Sequence, residues 1–231
     1  RSSVDASSNR INFALWSIFL VIIPTVFARW LDLPDDTDIQ WLAADYFPRI
    51  VTLVIIASVP ALRTCILSSF GPIARPDEIP SLTWVRVSAY TFGAIMLFVY
   101  VDVFVYFPLQ DFMPDWRTAE YPRIEHVSLY WFDLTFGLML VAVSEEFVFR
   151  GVIKRVVEGF VPNRLVVVAL SSVIFGLVHW RYGVSSVVGA FFFGVVYMIL
   201  FMSTRSLWSP VIAHYVTNFI YFSNYYAADS Y

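Results

Sequence analysis

The chain is poor in cysteine, histidine and charge. Cys65 is the only cysteine among 231 residues, which excludes an intrachain disulfide framework and any site built from several cysteines. Cys65 itself reads as a small apolar packing residue. Charged residues make up 14% of the chain, against about 25% in ordinary soluble domains. The net charge is −3 with no basic patch, so nothing points to nucleic acid. No internal repeat, low-complexity stretch or soluble domain is visible. What is present is apolar: 59% of residues are hydrophobic and 19% aromatic, with 22 Phe, 13 Tyr and 8 Trp. This composition implies an all-α, polytopic transmembrane bundle whose partner is the lipid bilayer, with aromatic belts at the interfaces.

A bilayer core takes about 20 apolar residues per helix, and about seven spans are expected. They cover residues 11–30 with Pro24 as a kink, 47–70 with Pro60 inside, and 84–107 carrying Asp102. A fourth starts near Ser128 and carries Glu145 and Glu146; the remaining three cover 165–180, 184–203 and 207–226. The connector 31–46 is acidic, 71–80 and 108–127 each hold three prolines, and Pro162-Asn163 marks a turn and helix start. The expected division is a flexible tail over 1–10, three spans with polar connectors over 11–127, a four-span core over 128–226 and a tail over 227–231. Arg1 rather than Met opens the sequence, as expected of a trimmed chain or one lying inside a longer protein. Ser186, Ala190 and Gly194 form a small-residue stripe suited to close helix packing.

Positive charge favours an N-terminus in the cytoplasm. Arg1, Arg10, Arg63, Arg75, Arg86, Arg150, Lys154, Arg155, Arg164 and Arg205 then lie inside, and Arg29, Arg49, Arg117, Arg123 and Arg181 outside. The expected location is a prokaryotic inner membrane.

Three polar clusters interrupt these spans: Glu145-Glu146-Phe147-Val148-Phe149-Arg150, Phe175-Gly176-Leu177-Val178-His179 and His214-Tyr215-Val216-Thr217-Asn218. An ionisable group inside a membrane is costly unless paired, which makes it a candidate for function. Glu146 and Arg150 are four apart and meet on one helix face, while Glu145 is rotated about 100° away. That spacing allows a structural ion pair with a spare interfacial acid, or a division of labour in which Arg150 fixes Glu146 and Glu145 faces a polar cavity as a base. Phe175 shares a face with His179, and His214 with Asn218. His179 alone fits an interfacial residue, His214 with Asn218 alone fits interhelical hydrogen-bond glue, and His126 falls in a connector. Ser144 reads as bonded back to its own helix rather than as a nucleophile.

In order and spacing, E-E-x-x-x-R, F-x-x-x-H and H-x-x-x-N resemble the CPBP (CAAX protease and bacteriocin-processing, or Abi) family, which includes type II CAAX prenyl endopeptidases. The resemblance covers about residues 129–222; the first three spans match only as generic apolar helices. It implies intramembrane hydrolysis of a peptide bond in a peptide or membrane-anchored protein, such as a prenylated C-terminus, a leader peptide or a sorting tail. It further implies that Glu145 with His179 activates a water, that His214 with Asn218 stabilises the oxyanion, and that Glu146, Arg150 and Phe175 organise the site.

The chemistry is coherent without a cofactor: an amide needs an activated nucleophile, a proton donor for the leaving amine and donors for the oxyanion. A zinc ion held by the two histidines and Glu145 is the rival, although no H-E-x-x-H pairing is present. Two other function classes share the composition: a proton- or ion-coupled transporter relaying through Glu145, Glu146, Asp102 and the histidines, and a catalytically silent immunity or scaffold protein. Paired half-repeats, the mark of many transporters, are not evident. The expectation carried forward is that Glu145, His179, His214 and Asn218 converge on one water-accessible cavity.

Overall fold

A computed structural model describes residues 12–23, 37–71, 80–110, 112–113, 116–118 and 124–228. The N-terminal tail, Pro24, residues 31–36 of the acidic connector, 72–79 and part of 108–127 lie outside the described residues. Among those described, every regular element is a helix. They are α1 (Asn12–Ile23), α2 (Asp38–Ser58), α3 (Pro60–Leu67) and α4 (Pro80–Val101), then α5 (Val127–Phe160), α6 (Arg164–Leu177), α7 (Val184–Thr204) and α8 (Trp208–Ala228).

Among the described residues, four helices are long and apolar enough to cross a membrane: α2, α5, α7 and the stretch Leu82–Phe104 around α4. The chain is thus a helical integral membrane protein, and four of the expected spans meet this length and composition among the described residues. Helices α1 and α6 are shorter apolar helices. Helix α8 is 21 residues long, yet His214, Thr217 and Asn218 dilute its apolar character. Large side chains face outward along the spanning helices, including Val54, Phe92 and Phe104, which are 57%, 64% and 65% exposed. Such surfaces fit lipid rather than water.

The second expected span is misplaced in the sequence reading. Its helix starts at Asp38 rather than Phe47, because Thr37 and Gln40 form a reciprocal capping box and Asp38 sits in the positive first turn. Tyr46 and Arg49, read as connector and interface residues, therefore lie within α2. Pro60 does not kink this span. It opens α3 as an N1 proline after Val59 breaks the helix.

Helix α5 departs from regular geometry at two π-helical segments, Asp133–Gly137 and Phe147–Ile153, and α4 runs into a third at Asp102–Tyr106. Such insertions recur at functional sites. The first is locked by Tyr46, whose hydroxyl donates to Asp133 at 2.6 Å. Gly137 belongs there because a β-carbon would collide with both groups.

Two tight hairpins set the register of the core. Asn163 caps α6 by accepting from the Leu165 amide, so α5 and α6 fold back on each other about Pro162, which lies midway in sequence between Glu145 and His179. Arg205, in the left-handed region at φ 56°, ends α7 and turns the chain into α8. Helices α6 and α7 approach closely: a β-carbon on Gly194 would meet Ser172 Cα at 3.0 Å, and one on Gly176 would meet the Val187 carbonyl at 2.7 Å. Of the small-residue stripe, Gly194 serves this packing, whereas Ser186 and Ala190 turn to a cavity. The main apolar core joins Leu20, Ile56, Leu62, Val148, Phe149, Val152, Phe175, Met198, Phe201 and Leu207.

Candidate active site

The first polar cluster lies near the middle of a 34-residue helix instead of at a membrane edge. Glu146 and Arg150 are 0% and 1% exposed and pair at 3.1 Å between Oε2 and Nε. Arg150 also donates to the Gly194 carbonyl at 3.4 Å, and its guanidinium stands 4.6 Å from the Phe175 ring centroid and 5.5 Å from that of Tyr197. A cation so enclosed is held by ring faces as well as by the carboxylate. The second Glu146 oxygen, Oε1, sits 2.8 Å from His214 Nδ1.

Glu145 and Glu146 do not simply diverge around the helix. They flank one imidazole, with Glu145 Oε2 3.9 Å from His214 Nε2 and Glu146 at the other ring nitrogen. Tyr197 stacks on that ring at 5.3 Å between centroids and bonds Thr217 on α8. The hairpin at Arg205 brings Tyr197 to this level.

Glu145 also has a partner that the sequence reading did not supply. Arg49 on α2 donates to its Oε1 at 2.8 Å and reaches Asp45 at 3.0 Å. The charge of Glu145 is thus shared with an Asp45–Arg49 pair, and its side chain remains 17% exposed. Asp45 and Arg49 are four apart in sequence, a spacing that could have flagged them.

His179 lies beyond the end of α6, in the turn leading to a short 3-10 helix at Trp180–Tyr182. Its φ of −90° and ψ of 8° put it in the sparsely populated bridge region where many active-site residues occur. Gly183 follows at φ 95°, a conformation that favours glycine. The Phe175 carbonyl lies 2.8 Å from His179 Nδ1. In the arrangement that satisfies the carbonyl, Nδ1–H donates and Nε2 keeps its lone pair. Phe175 makes edge contacts with both histidines, at 5.0 Å to His179 and 6.3 Å to His214.

Glu145, His179, His214 and Asn218 all line one cavity of about 610 Å³. Ser144 borders it too, but its hydroxyl bonds the Val141 carbonyl at 3.0 Å, as expected of a helical serine. The Asn218 side chain makes no hydrogen bond among the described residues. Asp102, carried by the third expected span, is 7% exposed and lines the cavity wall. Among the described residues, no three His, Cys, Asp or Glu side chains are grouped to hold a metal ion; His214 Nδ1 is engaged by Glu146.

Fold and site together define an integral membrane protein with ionisable residues gathered on a cavity between its spans. Residues 127–220 match the family model described as type II CAAX prenyl endopeptidase Rce1-like, an endopeptidase family. The matched stretch contains Glu145, Glu146, Arg150, Phe175, His179, His214 and Asn218 and excludes Asp45, Arg49 and Asp102. No curated protein and no solved structure matches the chain.

Proposed function

We propose that the protein is an intramembrane endopeptidase that hydrolyses a peptide bond with a water activated by Glu145 and His179. The observation carrying this reading is the single cavity onto which Glu145, His179, His214 and Asn218 converge. Arg49 occupies one oxygen of Glu145 by donating to Oε1 at 2.8 Å, whereas His179 Nε2 keeps its lone pair. His179 Nε2 is then the better proton acceptor, and Glu145 orients the water and balances the imidazolium that forms. Attack of the water oxygen on the amide carbon gives a tetrahedral oxyanion. His214, with Nδ1–H donated to Glu146, supplies a second donor from Nε2 when it is an imidazolium, and the Glu146 carboxylate supports that charge. The Asn218 amide is the other donor. His179 returns its proton to the departing amine as the C–N bond breaks.

No step calls for a metal ion, so a chelator should leave the rate unchanged. The substrate is a peptide or membrane-anchored protein: a prenylated C-terminus, a leader peptide or a sorting tail. In the proposed orientation the N-terminus is cytoplasmic in a prokaryotic inner membrane, in keeping with the distribution of arginine and lysine. Purified protein in detergent, incubated with one peptide of each class and followed by mass spectrometry, should produce a new carboxyl terminus in at least one. His179→Ala should slow this by about 10²–10⁴-fold, the usual contribution of general acid–base catalysis. Intact peptides of all three classes after prolonged incubation with the wild-type protein would count against the reading.

A further inference from the structure

We infer that Asp102 forms a subsite for a cationic side chain of the substrate, a few residues from the bond that is cut. This inference rests on the peptidase reading and adds a substrate feature to it. Asp102 is 7% exposed, lines the cavity and makes no hydrogen bond or ion pair among the described residues. The arginines on the same wall are engaged elsewhere: Arg49 holds Asp45 and Glu145, and Arg117 and Arg181 have interactions of their own. A carboxylate at membrane depth without a partner is costly to maintain. A cation arriving with the substrate would remove that cost, and the cavity gives it access.

The helices fix where such a cation would sit. Phe98, Asp102 and Tyr106 follow one another at four-residue steps along α4 and its π-helical extension. Phe98 stacks on Phe193 of α7 at 4.0 Å, and Tyr106 closes against Gly189, where a β-carbon would come within 2.8 Å of its ring. Asp102 therefore faces α7 between the levels of Phe193 and Gly189. Tyr197, one turn beyond Phe193, marks the level of His214. At 1.5 Å per residue, Asp102 lies roughly 6–12 Å along α7 from the reacting centre. An extended peptide advances about 3.3 Å per residue, so the cationic residue belongs about two to four positions from the scissile bond. The carboxylate selects Lys or Arg there over a neutral residue of the same length.

The test uses the full-length protein in detergent and peptides that differ at one position, two to four residues to either side of the cut, carrying Lys, norleucine or Glu. The wild-type protein should favour Lys over norleucine at one position by about tenfold or more in kcat/KM, the scale of a charge-assisted contact. Asp102→Asn should erase that preference, so that the Lys and norleucine peptides are cleaved with similar kcat/KM. Asp102→Glu should retain it, and Asp102→Lys should turn it toward Glu. No preference for Lys at any position, or an equal loss on all peptides in Asp102→Asn, would overturn the inference. Equilibrium binding of the same peptides, fluorescently labelled, separates the two ideas. If nothing is cleaved, the peptidase reading fails, while tighter binding of the Lys peptide that disappears in Asp102→Asn still supports the subsite. Equal binding of all three peptides to the wild-type protein overturns it.

Discussion

The two neighbouring glutamates occupy different physical situations, and this separates stability from catalysis. Glu146 is wholly enclosed, with Arg150 on one oxygen and His214 on the other. Arg150→Met would strand a buried carboxylate and should cost about 3–5 kcal/mol, the range for breaking a buried ion pair, measured as a fall in thermal stability in detergent. Glu145 keeps cavity access, and replacing it by Gln preserves shape and a hydrogen-bonding oxygen. That variant should stay folded and lose turnover, which a paired measurement of melting temperature and peptide hydrolysis checks. Asn218→Ala removes a single oxyanion donor and should lower kcat by about 10²–10³-fold, with little change in melting temperature. At this scale the sequence was informative wherever partners share a helix. Glu146 and Arg150 pair at 3.1 Å, as their spacing suggests. Arg49 is not legible as the partner of Glu145, because the two are 96 residues apart and the apolar run by itself begins at Phe47, nine residues after the helix does. Thr37 and Gln40, which cap that helix, and the Asp45–Arg49 spacing were the overlooked signals.

At the scale of the element, the π-helical segment from Phe147 to Ile153 and the two hairpins decide which side chains meet. Hydrophobic pattern places a helix here but does not encode an extra residue in its turn, so the placement of both glutamates around His214 could not be read from a regular wheel. The hairpins were more legible: Pro162-Asn163 is a turn signal, and it puts Glu145 and His179 at similar depth once α5 runs on to Phe160. The close approach of α6 and α7 depends on small residues. Gly176→Ala would press a methyl against the Val187 carbonyl, which lies 2.7 Å from the new carbon, with Phe191 Cβ at 3.2 Å. Backbone cannot step aside as a side-chain tip can, so the change should destabilise the protein by about 1–3 kcal/mol. It should also reduce turnover by shifting His179, whereas Gly159→Ala, with open space around it, should do neither.

For the molecule as a whole, composition was enough to identify a helical membrane protein, and less able to count its spans. Among the described residues α1 and α6 are short apolar helices and α8 carries His214 and Asn218, and they line the cavity together with the spanning helices α2, α4, α5 and α7. The result is a cavity with charged and polar side chains on its wall inside an apolar bundle. The measurement that tests the account most directly is steady-state cleavage of a quenched peptide by the wild-type protein and by Glu145→Gln, each purified in detergent, with and without a chelator. The account predicts turnover by the wild-type protein that the chelator does not change, and loss of at least about a hundredfold in the variant. A Glu145→Gln protein that cleaves at the wild-type rate, or a wild-type protein silenced by the chelator and restored by a divalent cation, would contradict it.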